Sequence, residues 1–491
     1  MAPNNDNDDD TSLEKYNVDW TGHYRGSSSI VVRPKSTEEV SRILSYCHKR
    51  RIGVVPQGGN TGLVGGSVGI GGEVILSLEK MNNIECYGKK DGSVIRADAG
   101  CILEELQNYA AKNGNLVPVD LGAKGSCQIG GNVSTNAGGV YYYRYGSLHA
   151  NVLGLEVVTP TGDVLNLGYD PVSHLKDNTG YHLKHLFIGG EGTLGVVTKV
   201  SLRCPPLPVS RGAMWVTCAS LSDVVRVLTL ARTDHLNEIL AAFEFMDRDV
   251  LELVRAAYPS IRFPLDIGNV TPATTINNDT IIDPYSILIE THGSDNNHDR
   301  EKLESFFECI MEEGLVVDGV MAQNLGQIED FWKIRELCNP ATAAMGYVYK
   351  YDISLAAIDF DSFIHDMKVR LIDASHDQQK AASSDKNLIC GNWGHIIDGN
   401  LHCNIVSPNS FERDSELLKI IDEGIFEEVM KRNGSISAEH GLGQYKNEYM
   451  TRIKTPSTLR AMYDIKRVFD PHGIMNPGKY LPEPSAESSP E

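Results

Sequence analysis

The 491-residue chain has no apolar run approaching the roughly 18 residues that a membrane-crossing helix needs, which excludes an integral helical membrane protein. Positive charge is scarce. Against 65 Asp and Glu there are only 45 Lys and Arg, a formal net charge of −20, and the pI is near 5.2. Nucleic acid as the main partner calls for a basic face and is disfavoured; an anionic substrate would have to meet a local cluster of Arg and Lys. The ten cysteines include no Cys-x-x-Cys pair, a pattern that reads as reduced, mostly buried thiols in a cytosol-like compartment. No G-x-x-x-x-G-K-[ST] segment is present, so there is no P-loop. The N-terminal stretch lacks an apolar core and lacks Arg, and it carries four Asp within residues 6–10. Neither a secretory signal nor an ordinary mitochondrial presequence is read there. Residues 1–17 read as a disordered acidic lead and residues 482–491 as a tail of the same kind.

What is present in excess is glycine. At about 7% usage some 34 are expected, and there are 46. Eighteen fall in three clusters: eight in 58–72, six in 122–139 and four in 189–195. Backbone that must approach a ligand closely needs this residue. The length suggests about three domains, enough chain to bury a core without disulfides or a structural metal.

Along the chain, Ile30–Arg33 reads as a short strand. Ser36 and Glu39 form a capping box, and Val40, Ile43, Leu44 and Cys47 follow at helical spacing, so a helix runs to about Arg51. Ile52–Val55 is a strand that feeds the first glycine loop, and Val74–Leu78 resumes strand. Residues 94–106 read as strand, turn, helix, and residues 120–139 as a second long loop. Val152–Pro160 and Asp163–Leu167 read as a hairpin turned at Thr161-Gly162. Pro205–Pro208 marks the best boundary. Beyond it, Leu221–Ala231 reads as a helix, 285–291 as a buried strand, 266–284 as a flexible connection and 376–388 as an exposed loop.

Gly190-Glu-Gly192-Thr-Leu-Gly195 matches G-x-G-x-x-G, but a β-branched segment follows it, whereas a dinucleotide turn must open a helix. The match does not support a nicotinamide site. The 56–67 loop, PQGGNTGLVGGS, offers consecutive backbone N–H groups, with Asn60, Thr61 and Ser67 as short polar side chains. It reads either as a nest for a diphosphate or as a cluster of surface turns. The 125–139 segment repeats that chemistry at Ser126, Asn132, Thr135 and Asn136, and three such clusters favour a nucleotide cofactor. His395 and His402 flank an Asp-Gly-Asn turn signal, so a hairpin could bring both imidazoles to one side. With the Glu439-His440 pair they supply two His and a Glu, a ligand set for a catalytic divalent ion; chance proximity among fifteen His is the other reading. Arg335 and Lys350 are cations within aromatic sequence. They read either as carboxylate anchors, Arg offering a bidentate fork, or as structural ion pairs.

Over residues 18–481 the chain resembles the FAD-linked D-2-hydroxy acid dehydrogenases of the vanillyl-alcohol-oxidase flavoprotein superfamily. The resemblance is carried by PQGGNTGLVGGS (56–67), DLGAKGSCQIGGNVSTNAGG (120–139), RYGSLHANVLGLEVV (144–158), the segment 177–201, LAAFEFMDR (240–248), YVYKYDISL (347–355), GHIIDGNLHCN (394–404), SAEHGLG (437–443) and DPHGIMNPGKYLP (470–482). It implies an α+β protein: a two-subdomain FAD-binding domain over 18–205, a cap domain with an antiparallel sheet over 206–405, and a C-terminal helical segment over 406–481 that returns to the flavin. The cofactor contacts it implies fall on Pro56, Gly58, Gly59, Asn60, Thr61, Gly62 and Ser67 of the first loop. On the second they fall on Ser126, Gly130, Gly131, Asn132, Thr135, Asn136, Gly138 and Gly139, and beyond it on Gly192, Val197 and Asn476. Some superfamily members attach the flavin through a His in the first loop; Asn60 stands in that place, so the FAD is expected to be non-covalent.

For the site, the resemblance implies Zn2+ on His395, His402 and Glu439, His440 as the active-site histidine, and Arg335, Lys350 and Asn404 on the substrate. Asn339 falls where members of the family carry Thr. The family's G-H-x-G-D-G-N-x-H pattern is broken at Ile397, and Gly391-Asn392-Trp393 also departs from it. The activity implied is oxidation of D-2-hydroxyglutarate to 2-oxoglutarate in a mitochondrial setting, with electron transfer flavoprotein as the acceptor. A D-lactate or broader D-2-hydroxy acid dehydrogenase is the alternative within the class. An inactive flavin- and zinc-binding protein is the alternative outside it.

Overall fold

The structure, a computed structural model, describes residues 13–87, 94–170, 177–265, 284–381 and 388–483. Most of the expected acidic lead, the 266–284 connection and the tail lie outside the described residues. Within the lead, Glu14–Asn17 form a helical turn instead of disordered chain. The reason is local: Asn17 exchanges two hydrogen bonds with the Ser28 backbone, and the Tyr16 hydroxyl reaches Glu79 at 2.9 Å. The chain divides into two compact units. One comprises residues 1–139, 146–207 and 439–491; the other comprises 140–145 and 208–438. Residues 406–438 thus belong to the second unit and only the chain from Glu439 on to the first.

The first unit holds two sheets. Strands β1 (Val31–Val32), β2 (Val54–Gln57) and β3 (Val74–Ser77) form a small parallel sheet in the order β1-β3-β2. The helix Thr37–Arg50 covers it. Ser36 caps that helix by accepting from the Glu39 N–H, and Val40, Leu44 and Cys47 are buried at the expected spacing. Strands β4 (Ile84–Tyr87), β5 (Val94–Asp98), β6 (Val152–Val158), β7 (Val164–Leu167) and β8 (Val196–Arg203) form an antiparallel sheet in the order β4-β5-β8-β6-β7. The hairpin at Thr161-Gly162 joins β6 to β7, with Gly162 at φ +94°. β8 is central and buried on nearly its whole length, Lys199 and Arg203 excepted. Residues 474–476 return to lie beside β2: Val54 N–H donates to the Ile474 carbonyl, and Asn476 N–H donates to that of Val54, both at 2.8 Å.

The second unit is one seven-stranded antiparallel sheet. Its strands are β9 (Ser210–Cys218), β10 (Leu240–Met246), β11 (Tyr285–Gly293), β12 (Asp318–Met321), β13 (Gly346–Ser354), β14 (Ile389–Gly394) and β15 (Asn400–Pro408), in the order β12-β9-β11-β10-β14-β15-β13. The α+β class and the antiparallel cap sheet are as expected. The long helix Leu325–Met345 packs its Ile328, Phe331, Ile334 and Cys338 with Met246, Leu288 and Trp393 in one apolar core.

Two local expectations are corrected. Residues 129–134 are not loop but a short helix; Gly130 makes it possible, because a Cβ there would stand 2.5 Å from that of Ala99. The exposed loop expected from 376 begins later, since the helix Phe360–Ala381 carries on through 381. Among the described residues no helix is long and apolar enough to cross a membrane. Nine of the cysteines, all but Cys86, are seen as free thiols, and eight of these are buried.

Candidate functional site

In the first unit the site is made of backbone. The first glycine loop lies against the second so closely that a Cβ at Gly59 would stand 1.9 Å from the Ser126 carbonyl oxygen. At Gly62 and Gly131, by contrast, a Cβ would meet nothing within 4 Å. The Asn60 and Ser67 side chains are bonded within the chain. Asn60 sits at φ +54°, donates to the Lys15 and Val18 carbonyls, and accepts from the Ser67 hydroxyl at 2.7 Å. These side chains shape the loop, with Thr61 half-buried beyond Asn60, and leave the N–H groups to present. Ser126 and Thr135 likewise spend their hydroxyls on nearby carbonyls, of Ala123 and Gly131. Val197 places its side chain in the core, and Gly192, at φ +69°, packs over Pro56. The G-x-G-x-x-G segment therefore runs into β8, as its β-branched sequel requires.

A nucleotide fits these residues. The side-chain oxygens of Gln128, Asn132 and Asn136 are buried without a hydrogen-bond partner, a costly arrangement that a polar ligand would relieve. Asn136 is held at φ +49°. Asn476, at φ +45°, ties the first and third clusters together: its amide donates to the carbonyls of Gly66 (3.0 Å) and Glu191 (2.8 Å), and its oxygen accepts from Lys479 at 2.6 Å. Burial lowers the Lys479 ammonium to about 7.

Glu439 and His440 belong to this first unit. The Glu439 carboxylate accepts from Gly139 N–H at 2.6 Å, and a Cβ at Gly138 would collide with it. The loop just beyond His440 is anchored by Glu191, whose buried carboxylate accepts from the N–H groups of Leu442 (2.7 Å) and Gly443 (2.9 Å).

In the second unit the site is made of side chains set out by strand register. Side chains alternate faces along a strand, and β13 pairs with β15 so that Lys350 stands opposite Asn404 and Asp352 opposite His402. β14 and β15 form the hairpin expected around Asp398-Gly399-Asn400, with Trp393 opposite His402. The two imidazoles come together, ring centroids 5.6 Å apart and nearly perpendicular, with a pair of ring nitrogens within 4.8 Å. Each is backed by a carboxylate. His395 Nδ1 lies 2.6 Å from Glu244 Oε1, and His402 Nδ1 lies 3.6 Å from Asp352 Oδ1, whose position is fixed by Asn400 at 2.8 Å. A carboxylate behind Nδ1 directs Nε2 outward, the arrangement in which His ligates metals. The donor chemistry thus fits a divalent ion.

Arg335 is held by a 2.9 Å bond from Nε to Glu244 Oε2. Lys350 donates to the Asn339 side-chain oxygen at 3.0 Å, which draws two expected substrate residues together. Glu244 is fully buried. Burial alone would raise its carboxyl, but His395 and Arg335 outweigh that and hold it below the ordinary range. The departures at 391–397 are absorbed by packing. Ile397 and Trp393 are buried, and Asn392 bonds twice to Asp247, at 2.8 and 3.0 Å.

Three residues of consequence escaped sequence reasoning: Glu191, Glu244 and Asp352. A signal existed for Glu244, a lone charge in the apolar strand LAAFEFM, which must find a partner. Asp352 shares the face of Lys350 two residues away.

The chain matches two family models: an FAD binding domain over residues 28–168, and the C-terminal domain of FAD linked oxidases over residues 207–480. A mitochondrial D-2-hydroxyglutarate dehydrogenase of Arabidopsis thaliana is 45% identical over 476 residues, covering 97% of this chain and 79% of the relative. A putative mitochondrial D-lactate dehydrogenase of Schizosaccharomyces pombe is 40% identical over 474 residues, with 96% and 85% covered. Among solved structures, p-cresol methylhydroxylase superposes with a TM-score of 0.69 at 18% identity, covering 92% of this chain and 88% of that one, a likeness of fold. With a glycine-lined cofactor cradle in one unit and an antiparallel cap sheet in the other, the chain belongs to the FAD-linked oxidase family and is a flavoprotein oxidoreductase.

Proposed function

We propose that this protein oxidises D-2-hydroxyglutarate to 2-oxoglutarate with non-covalently bound FAD. The observation that carries the reading is the shared face of the second unit's sheet. It sets His402, Asn404 and Lys350 side by side, with Arg335 bonded to Glu244 of β10, one strand beyond β14. Two cations suit a substrate with two carboxylates. Arg335 offers a fork to one and Lys350 a point charge to the other, which orients the C2 carbon. His395, His402 and Glu439 would hold a divalent ion. When bound, FAD would accept hydride and the ion would supply Lewis acidity at the C2 oxygen. His440 takes the hydroxyl proton, so that the alcohol loses one hydride and one proton in all. The relatives' names support a mitochondrial setting, and electron transfer flavoprotein is the proposed acceptor.

The test is an anaerobic titration of the purified protein, followed by bleaching of the flavin absorbance. D-2-hydroxyglutarate should reduce it with a far higher kcat/KM than D-lactate. Preference for D-lactate would remove Lys350 from the substrate assignment. A colourless protein that takes up no FAD would end the proposal.

A further inference from the structure

We infer that Glu244 is a positioning residue that couples substrate binding to metal binding: one carboxylate oxygen holds the metal-binding imidazole of His395 and the other holds the substrate-binding guanidinium of Arg335. The inference rests on the dicarboxylate and metal assignments above.

The geometry divides the carboxylate evenly, with Oε1 on His395 Nδ1 at 2.6 Å and Oε2 on Arg335 Nε at 2.9 Å. A carboxylate only accepts, so His395 carries its proton on Nδ1 and its lone pair on Nε2, the tautomer a metal needs. The bond to Arg335 uses Nε and leaves Nη1 and Nη2 to present to a carboxylate. β10 is buried along its length and Glu244 is fully buried within it. Apolar packing alone would fill that position at less cost than a charge.

Another buried carboxylate of this sheet, Glu290, shows what a structural role looks like. Glu290 is ringed by Arg211, His292, Trp332 and Tyr141 at 2.6–3.1 Å, four partners that bind one another in place. Glu244 has two, and they belong to different halves of the site.

The direction of the coupling follows. While Arg335 is unliganded, it draws the Glu244 charge toward itself. A substrate carboxylate on Arg335 neutralises that pull, returns the charge to His395 and makes its Nε2 a better donor. Dicarboxylate and metal therefore strengthen one another by the same factor, as linkage requires.

Glu244→Gln tests this, because an amide cannot satisfy both partners. If its oxygen accepts from Arg335, its NH2 faces His395 Nδ1 and enforces the wrong tautomer; flipped, NH2 confronts the Arg335 N–H. The FAD-loaded full chain is titrated with Zn2+ against a chromophoric chelator, with and without saturating glutarate, a dicarboxylate lacking the hydroxyl. In the native protein glutarate should tighten Zn2+ binding about fivefold or more. In Glu244→Gln, Zn2+ should bind about 10- to 100-fold more weakly, and the effect of glutarate should vanish, with flavin content retained. Coupling that survives in Glu244→Gln overturns the inference. Should that variant not fold, Arg335→Met serves instead: Zn2+ should bind more tightly than in the native protein, and unchanged affinity overturns the inference. A native chain that binds neither Zn2+ nor glutarate removes the functional reading as well, whereas one that binds both while Glu244→Gln behaves identically removes this inference alone.

Discussion

The two units build their sites from opposite materials. The first presents N–H groups and empty space, and its polar side chains, Asn60, Ser67, Thr135 and Asn476, are spent on holding loops in unusual conformations. The second presents side chains, and its backbone is ordinary antiparallel ladder. A diphosphate needs many weak donors at close range, which a glycine-rich main chain supplies. A small alcohol acid needs a few strong charges at fixed separation, which sheet register supplies. The difference teaches where each site is vulnerable: the first to any added Cβ, the second to loss of a particular functional group.

The largest effect expected from that contrast is at Gly59. In Gly59→Ala the new methyl meets the Ser126 carbonyl oxygen at 1.9 Å, so the two loops must part. The purified protein should contain no flavin by absorbance. Gly62→Ala sharpens the point, because nothing in the chain lies within 4 Å of its Cβ. Its flavin-free melting temperature should match the native protein's while FAD affinity falls; equal FAD affinity would show that the space at Gly62 is not the cofactor's. In the second unit Asp352→Asn should leave flavin content untouched and weaken Zn2+ binding about 10- to 100-fold by loosening His402, read by metal analysis after dialysis. The smallest effect lies away from both sites, at Glu428. Burial would raise its carboxyl, but bonds to Lys431, Arg432 and Arg370 prevail and hold it at about 2. A carboxyl depressed in the folded state stabilises above its unfolded value near 4.5 and loses that contribution as pH falls toward 2. Glu428→Gln should therefore melt below the native protein at pH 7 by about 1 kcal/mol or less, with the gap closing in acid. A constant gap across that range would assign the loss to packing.

Much of the first unit was open to reading because its determinants are local. The Ser36 cap, the helix spacing and the Thr161-Gly162 turn each depend on residues within one element, and the glycine clusters announce close backbone approach wherever they fold. In the same loops Asn60 and Ser67 read as short polar side chains, and only the proximity of residues 15 and 18 reveals what Asn60 bonds to. In the second unit the residue types were legible and their partners were not. Nothing in LAAFEFM says that its Glu will stand between a histidine some 150 positions onward and an arginine from a helix, because strand order and register are set by packing across distant segments.

The sequence by itself therefore determined the α+β class and the glycine-built loops of the first unit, and it singled out His395, His402, Arg335 and Lys350 as candidates, since these follow from local conformation and residue type. Tertiary structure alone decided which carboxylate stands behind each histidine, that Glu244 serves two masters, and that Ile397 and Trp393 are harmless core. Those outcomes depend on which buried charges find one another across the sheet, and a buried charge without its partner would have cost more than the fold could bear.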